Sequence, residues 1–323
     1  MNGATRYGRL TMAAAGAACL LAWAGLHAPA AEPGEVTMRM AQDSTSVTIS
    51  VDGKPVMVYR FGDVPMKPYV KELCTPAGVQ VLRDSPHDHK HHHALMFAVG
   101  IDGVDFWSEH PKCGRQVHRG LEGGRGQSRG GFARAEFTER LDWTAPGADK
   151  PLAAERRTIC VERPAGVSVT LLTWQTRLEP AEGRAAIKLG GSHYFGLGMR
   201  FVESMDRVGK FFNADRKEGT LVRGQERVTP TCWCAYTAPA DGKPVTAAMF
   251  DDPKNPRHPA WFFTMPAHFA YLSATLNLWK EPMTVEAGKP LALRYGVALW
   301  DGQLKPADVE KLYRRWVEDR GTE

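Results

Sequence analysis

Along most of the chain, apolar and polar positions alternate in short runs broken by turn residues. Ser46-Val47-Thr48-Ile49-Ser50-Val51 alternates and ends in Asp52-Gly53, the composition of a tight hairpin turn. The same texture predicts strands over 56–60, 79–82, 95–99, 133–143, 153–162, 167–178, 245–250, 271–278 and 291–299. Turn dipeptides such as Asp102-Gly103, Pro146-Gly147, Glu182-Gly183 and Asp241-Gly242 separate them. Many strands at short intervals predict an all-β protein, a sandwich or barrel. Only the end reads as helix. Pro306 suits a first helical turn, and Val309, Leu312, Tyr313 and Trp316 recur at three- and four-residue steps. Such a helix is expected to pack against a sheet edge. The stretch 114–131, rich in Gly, Arg, Gln and Ser, reads as a surface loop, either a lid over a site or a disordered excursion.

The first 31 residues change the picture. Arg6 and Arg9 precede an apolar, Ala-rich run over 10–26, and Ala28-Pro29-Ala30 offers small residues at a cleavage site. This is the pattern of a secretory signal peptide. The apolar run is short for a membrane span, which needs about 20 residues. The expected organisation is a signal peptide over 1–31 and one β-sandwich domain over 32–323, exported to the periplasm or the medium. No later stretch is apolar enough to span a bilayer. The net charge of +5 comes from basic residues scattered among acids, which is no nucleic-acid stripe. Five cysteines follow Cys19, and that odd number leaves at least one unpaired within the chain. They are expected to be packed or locally bridged rather than catalytic.

The chemistry concentrates in His87-Asp88-His89-Lys90-His91-His92-His93, between Pro86 and the apolar run from Ala94. Imidazole binds metals and moves protons near neutral pH. Were the run extended, side chains would alternate, with His87, His89, His91 and His93 on one face and Asp88, Lys90 and His92 on the other. His89 and His91 could then share a divalent metal, with further ligands from Glu109, His193 or His258. The other readings are a metal-free polar site and a purely structural cluster.

Three more segments are candidates. Gly103-Val104-Asp105-Phe106-Trp107-Ser108-Glu109-His110 offers an aromatic face at Trp107 and a carboxylate at Glu109 for acid or base work. Ordinary packing is the simpler reading of Trp107. His193-Tyr194-Phe195-Gly196-Leu197-Gly198-Met199-Arg200 offers glycines that admit close approach and an arginine to hold substrate. Phe250-Asp251-Asp252-Pro253-Lys254-Asn255-Pro256-Arg257-His258-Pro259 is too proline-rich for helix and reads as a rigid polar loop. No nucleophile elbow and no phosphate-binding loop occur.

These residues together resemble the bacterial family labelled "methane oxygenase PmoA". The shared pattern includes Tyr69, Thr75-Pro76-x-Gly78, Arg83, Asp88-His89-x-His91-His92-x-x-Leu95 and Gly103-x-Asp105-Phe106-Trp107-x-Glu109. It continues through the Gly-Leu-Gly-Met-Arg block, Pro253-x-Asn255-x-x-His258-Pro259, Leu293-Arg294-Tyr295 and Leu312-Tyr313. The chain has Lys90 where many members have Pro, and His93 where many have Arg, so His93 is the weaker candidate. The resemblance implies a large antiparallel sandwich of the galactose-mutarotase kind with a C-terminal helix, and a place in carbohydrate metabolism. It does not imply methane oxidation, whose enzyme subunits are membrane-embedded.

The expected function is therefore acid–base chemistry on a sugar or modified sugar, of epimerase, lyase or hydrolase type. His89, His91, His92, Glu109 and His258 are the expected catalytic groups. Asp88, Trp107, Arg200 and Asn255 are expected to bind a small-molecule or oligosaccharide substrate, and the Asp88–His92 block, Glu109, Arg200 and His258 are expected to meet in one cleft. A non-catalytic glycan-binding module and a metal-dependent oxidase are the alternatives.

Overall fold

The computed structural model describes Met1 and residues 37–319, so the expected signal peptide lies outside the described residues. The described chain is all-β with one α-helix, in antiparallel sheets of ten, eight and four strands. The ten-stranded sheet runs from the edge strand Met38–Gln42 through Ser46–Val51, Lys54–Arg60, Tyr69–Leu73 and Leu95–Ala98. It continues through Gly196–Arg200, Tyr271–Thr275, Trp261–Met265, Glu226–Pro230 and Thr220–Arg223. The eight-stranded sheet is built on the long strands Phe132–Thr144, Ala153–Arg163, Thr170–Pro180 and Leu291–Asp301. The small sheet joins Ala186–Gly190 to Met283–Glu286 and to the hairpin of Gly100–Ile101 and Val104–Asp105.

Period-two alternation decides which face each residue serves. Tyr59 meets Phe137 at 5.2 Å and Phe201 meets Tyr236 at 4.9 Å between ring centroids, so the two large sheets pack face to face. In the strand Lys243–Asp251, Ala247 and Met249 enter this core, while Ala248 and Phe250 point the other way. That outer face receives the helix Pro306–Glu318 through Val309, Leu312, Tyr313 and Trp316. The helix thus lies on a sheet face and not at an edge, because Phe250, Ala298 and Trp300 make an outward apolar stripe that needs cover.

Two expected elements differ. The stretch 114–131 is no loop. Arg115–Arg129 is the edge strand of the eight-stranded sheet and pairs with Phe132–Thr144 through a turn at Gly130-Gly131. Both turn glycines have positive φ, 56° and 76°, as a two-residue hairpin turn needs. Register shifts at His118/Gly120 and Glu122/Arg125 break the alternation that would have marked it as a strand. Residues 79–82 make only isolated bridges. There the Gln80 carboxamide accepts the backbone N–H groups of Leu73 and Val81 and replaces a ladder. All five described cysteines are free thiols.

Candidate functional site

The histidine run is folded into turns, which overturns the alternating-face reading. His89 N–H donates to the Pro86 carbonyl at 3.0 Å, and His92 N–H to the His89 carbonyl at 2.9 Å. The loop is closed at its base by Ser85 N–H to the His92 carbonyl and by the bridge of Asp84 with His93. Turning the backbone gathers His89, His91 and His92 on one side. Their ring centroids lie 4.6 to 5.8 Å apart, with His89 and His92 stacked.

These three imidazoles line a cavity of about 540 Å³ with Asp88, Tyr194, Phe263, Phe269 and Tyr271 among the other walls. The cavity lies on the outer face of the ten-stranded sheet. Phe201 faces the sandwich core, so Leu197 and Met199 share its face, while Gly198 and Arg200 point outward. A Cβ on Gly198 would overlap the Tyr271 hydroxyl and the Trp107 ring, so glycine is needed for those two side chains to pack there.

Burial sets the charge states. It pushes His91 down, and neighbouring His89 and Lys67 push the same way. It pushes the nine-tenths-buried His92 down further, with His91 and His89 adding repulsion. Both rings are therefore neutral at neutral pH. For Asp88, burial acts upward, but His89 and Arg200 outweigh it and hold the carboxylate below its ordinary value. Asp88 Oδ2 lies 3.1 Å from His89 Nδ1 and 3.6 Å from Arg200 Nη2. Arg200 is buried, with its guanidinium 3.8 Å over the Phe269 ring. Several buried polar atoms here lack a hydrogen-bond partner: His92 Nδ1, Trp107 Nε1, the Tyr271 hydroxyl, and Nε and Nη1 of Arg200. Such atoms are costly in a folded protein and call for a water or a ligand.

The remaining expected residues divide. Trp107 lines the cavity but is fully buried, stacked on Phe195 at 5.3 Å, so it forms a wall and not an open platform. Glu109 does not line the cavity. It accepts from Lys67 at 2.8 Å and bonds His93 Nε2 at 2.9 Å, while His93 Nδ1 meets Asp84 at 2.8 Å. His93, the weakest candidate by pattern, is thus the buried link between two carboxylates, and Glu109 supports the histidine loop from behind. His258 and Asn255 also lie outside the cavity. His258 Nδ1 meets Asp251 Oδ2 at 2.7 Å, and Asn255 donates to Asp251 and to the Arg294 carbonyl. Tyr313 of the helix donates to the Asp251 carbonyl, so this network sits beside the helix, and Glu109, Arg200 and His258 do not line one cleft with the histidines as expected. His193 binds Glu226 at 2.8 Å, and Glu226 lines the cavity.

Two cavity segments escaped the sequence reading. One is the hairpin turn from Arg223 to Glu226, where Arg223 holds Glu226 at 2.6 Å. Its signal was Gly224 between the alternating runs Thr220-Leu221-Val222 and Arg227-Val228-Thr229. The other joins Met265 to Tyr271 and supplies His268 and Phe269. Among the described residues, the trio whose metal-ligating atoms lie within 4.8 Å of one another is Asp105, His110 and Cys113; it does not include the His89–His91 pair.

A family model described as "Family of unknown function (DUF6807)" matches residues 46–314. No curated protein matches in sequence. Solved structures similar in shape include a GH36 alpha-galactosidase from Geobacillus stearothermophilus, with 11% identity and a TM-score of 0.45. That match covers 82% of this chain and 41% of the galactosidase, so the chain spans less than half its length. A putative mutarotase from Salmonella typhimurium has 11% identity and a TM-score of 0.40, covering 82% of this chain and 94% of that one. A putative aldose 1-epimerase from Klebsiella pneumoniae subsp. pneumoniae has 9% identity and a TM-score of 0.44, covering 88% of each.

Proposed function

We propose, for a chain that belongs to DUF6807, a family of unknown function, that the histidine cavity binds a sugar or modified sugar and transfers protons on it. The carrying observation is the triad of His89, His91 and His92 on the wall of an aromatic-lined cavity, where burial lowers the pKa of His91 and His92. A polyhydroxylated ring offers what this cavity lacks: donors and acceptors for the orphaned polar atoms of His92, Trp107 and Tyr271, and an apolar face for Tyr194 and Phe263. His91 is the better proton acceptor, because it is half-buried and less depressed than His92. His92, pinned neutral, hydrogen-bonds a substrate hydroxyl. Asp88 places a negative charge 3.1 Å from His89, and Arg200 lies 3.6 Å from Asp88. Elimination and epimerisation both begin with His91 taking a carbon-bound proton; in elimination the bond to the leaving oxygen then breaks and a His89 N–H protonates that oxygen, and in epimerisation a proton from water returns to the opposite face of the same carbon. Export by the leader over 1–31 is part of the proposal and places the substrate outside the cytoplasm.

A binding-only role has one observation in its favour. Glu109, the expected acid, is held by Lys67 and His93 away from the cavity. NMR of the purified protein with sugars and oxidised sugars separates the readings, because it sees both binding and conversion. Conversion that falls about a hundredfold or more in His91→Ala supports catalysis. A sugar that binds without conversion leaves only the binding role, and no binding by any sugar sinks the proposal.

A further inference from the structure

A second concavity lies beside the first. It has a volume of about 440 Å³ and is walled by Trp279, His193, Phe195 and Ser192, with Gly190 and Gly103 in its floor. Trp279 is the one exposed Trp, Tyr or Phe among the described residues, 36% exposed. Lys280 sits 4.7 Å over its ring, and the His193 ring meets it edge-on at 5.8 Å. The turn that presents Trp279 is held from below. Arg257, from the proline-rich loop, donates to the carbonyls of Leu276, Glu281 and Pro282. An exposed indole fixed this firmly costs hydration and entropy without contributing to the core.

Gly190 points the same way. It ends a strand where glycine is unfavourable. Its φ lies outside the left-handed range, and a Cβ there would meet no heavy atom within 4 Å. Neither backbone conformation nor packing therefore accounts for glycine. Gly190 and Trp279 line the same groove. The wall between the two concavities is two side chains thick, His193 bonding Glu226 of the first cavity and Phe195 stacking on its Trp107, so a ligand reaching both passes over these pairs.

We infer that the groove of Trp279 and Gly190 is a second carbohydrate subsite, which takes one pyranose ring with its apolar face on the indole and its edge against the glycine backbone. This rests on the sugar reading of the histidine cavity and extends it. The ligand is then at least a disaccharide, one unit in each concavity. Saturation-transfer NMR and calorimetry with maltose, cellobiose, lactose and digalacturonate, each beside its monosaccharides, test it. In the native protein one disaccharide should bind about tenfold tighter than its units. Trp279→Ala removes the platform and Gly190→Val fills the floor, and each should bring that ratio to about one. Thermal melts check that both variants fold; valine in a strand is expected to keep or raise stability. Monosaccharide binding with no disaccharide advantage, or an advantage that survives both substitutions, overturns this subsite and leaves the first cavity standing. No binding by any of these sugars overturns both.

Discussion

At the scale of single residues, the buried chain Lys67–Glu109–His93–Asp84 fixes how the histidine loop is held. Burial pushes His93 down, but its hydrogen bonds to Asp84 and Glu109 outweigh this, and its pKa is raised from 6.5. Burial pushes Asp84 and Glu109 up, and His93 with Tyr69 or Lys67 outweighs it and lowers both. His93 thus supplies stability that is complete below about 6.5 and is lost as pH rises through its raised value. The carboxylates supply stability present above 3.8 and 4.5 that is lost as pH falls through their lowered values. The stability gap between native protein and His93→Gln, read from urea titrations, should therefore be larger at about pH 5.5 than at about pH 8.5. Glu109→Ala strands the fully buried Lys67 ammonium and should cost about 3–5 kcal/mol in the same titrations. For the proposed base, the sign is opposite to that of His93. His91 works unprotonated and its pKa is lowered, so the acid limb of kcat/KM on a converted sugar should fall below pH 6.5. A limb above that value would take the role from His91.

At the scale of elements, what could be read from the sequence followed from how regular each ladder is. Phe132–Thr144 alternates buried and less buried positions without a break, and it was legible almost to the residue. Its partner Arg115–Arg129 was not, because two register shifts and its glycines erase the period. Hydrogen exchange discriminates the two descriptions. As a paired strand, the amides opposite Phe132–Thr144 should exchange far more slowly than in an open loop, and complete exchange within seconds would refute the pairing. The histidine segment failed for a related reason. Its composition announces chemistry, but the two turns that gather His89, His91 and His92 and reverse His93 are backbone hydrogen bonds with no glycine or asparagine to mark them. Gly198, in a block expected to let a ligand approach the backbone, instead admits the side chains of Tyr271 and Trp107. Gly198→Ala should cost about 1–3 kcal/mol in a thermal or urea melt, since Tyr271 and Trp107 must both shift.

At the scale of the whole molecule, the two large sheets share one core and spend their outer faces differently. The eight-stranded sheet gives its outer face to the helix, where Trp316 packs on Phe250 and donates to Thr173 at 2.9 Å. The ten-stranded sheet gives its outer face to loops, and those loops build the cavity. His258 was grouped with His89, His91 and His92 because all were histidines in motif-like segments, yet sequence alone cannot say which outer face a segment covers. The fold gives His258 to the Asp251 network beside the helix and the other three to the cavity. Their substitutions should therefore separate too. His258→Ala takes a partner from buried Asp251, beneath the helix, and should lower stability by about 1–3 kcal/mol while conversion of a sugar by the folded fraction stays intact. His92→Ala removes a ring from the cavity wall and should abolish conversion or binding. Urea unfolding and turnover measured on the same two preparations decide it. A His258 variant that is stable but inactive would mean that chemistry runs on the helix face, and the histidine cavity would lose its claim to be the active site.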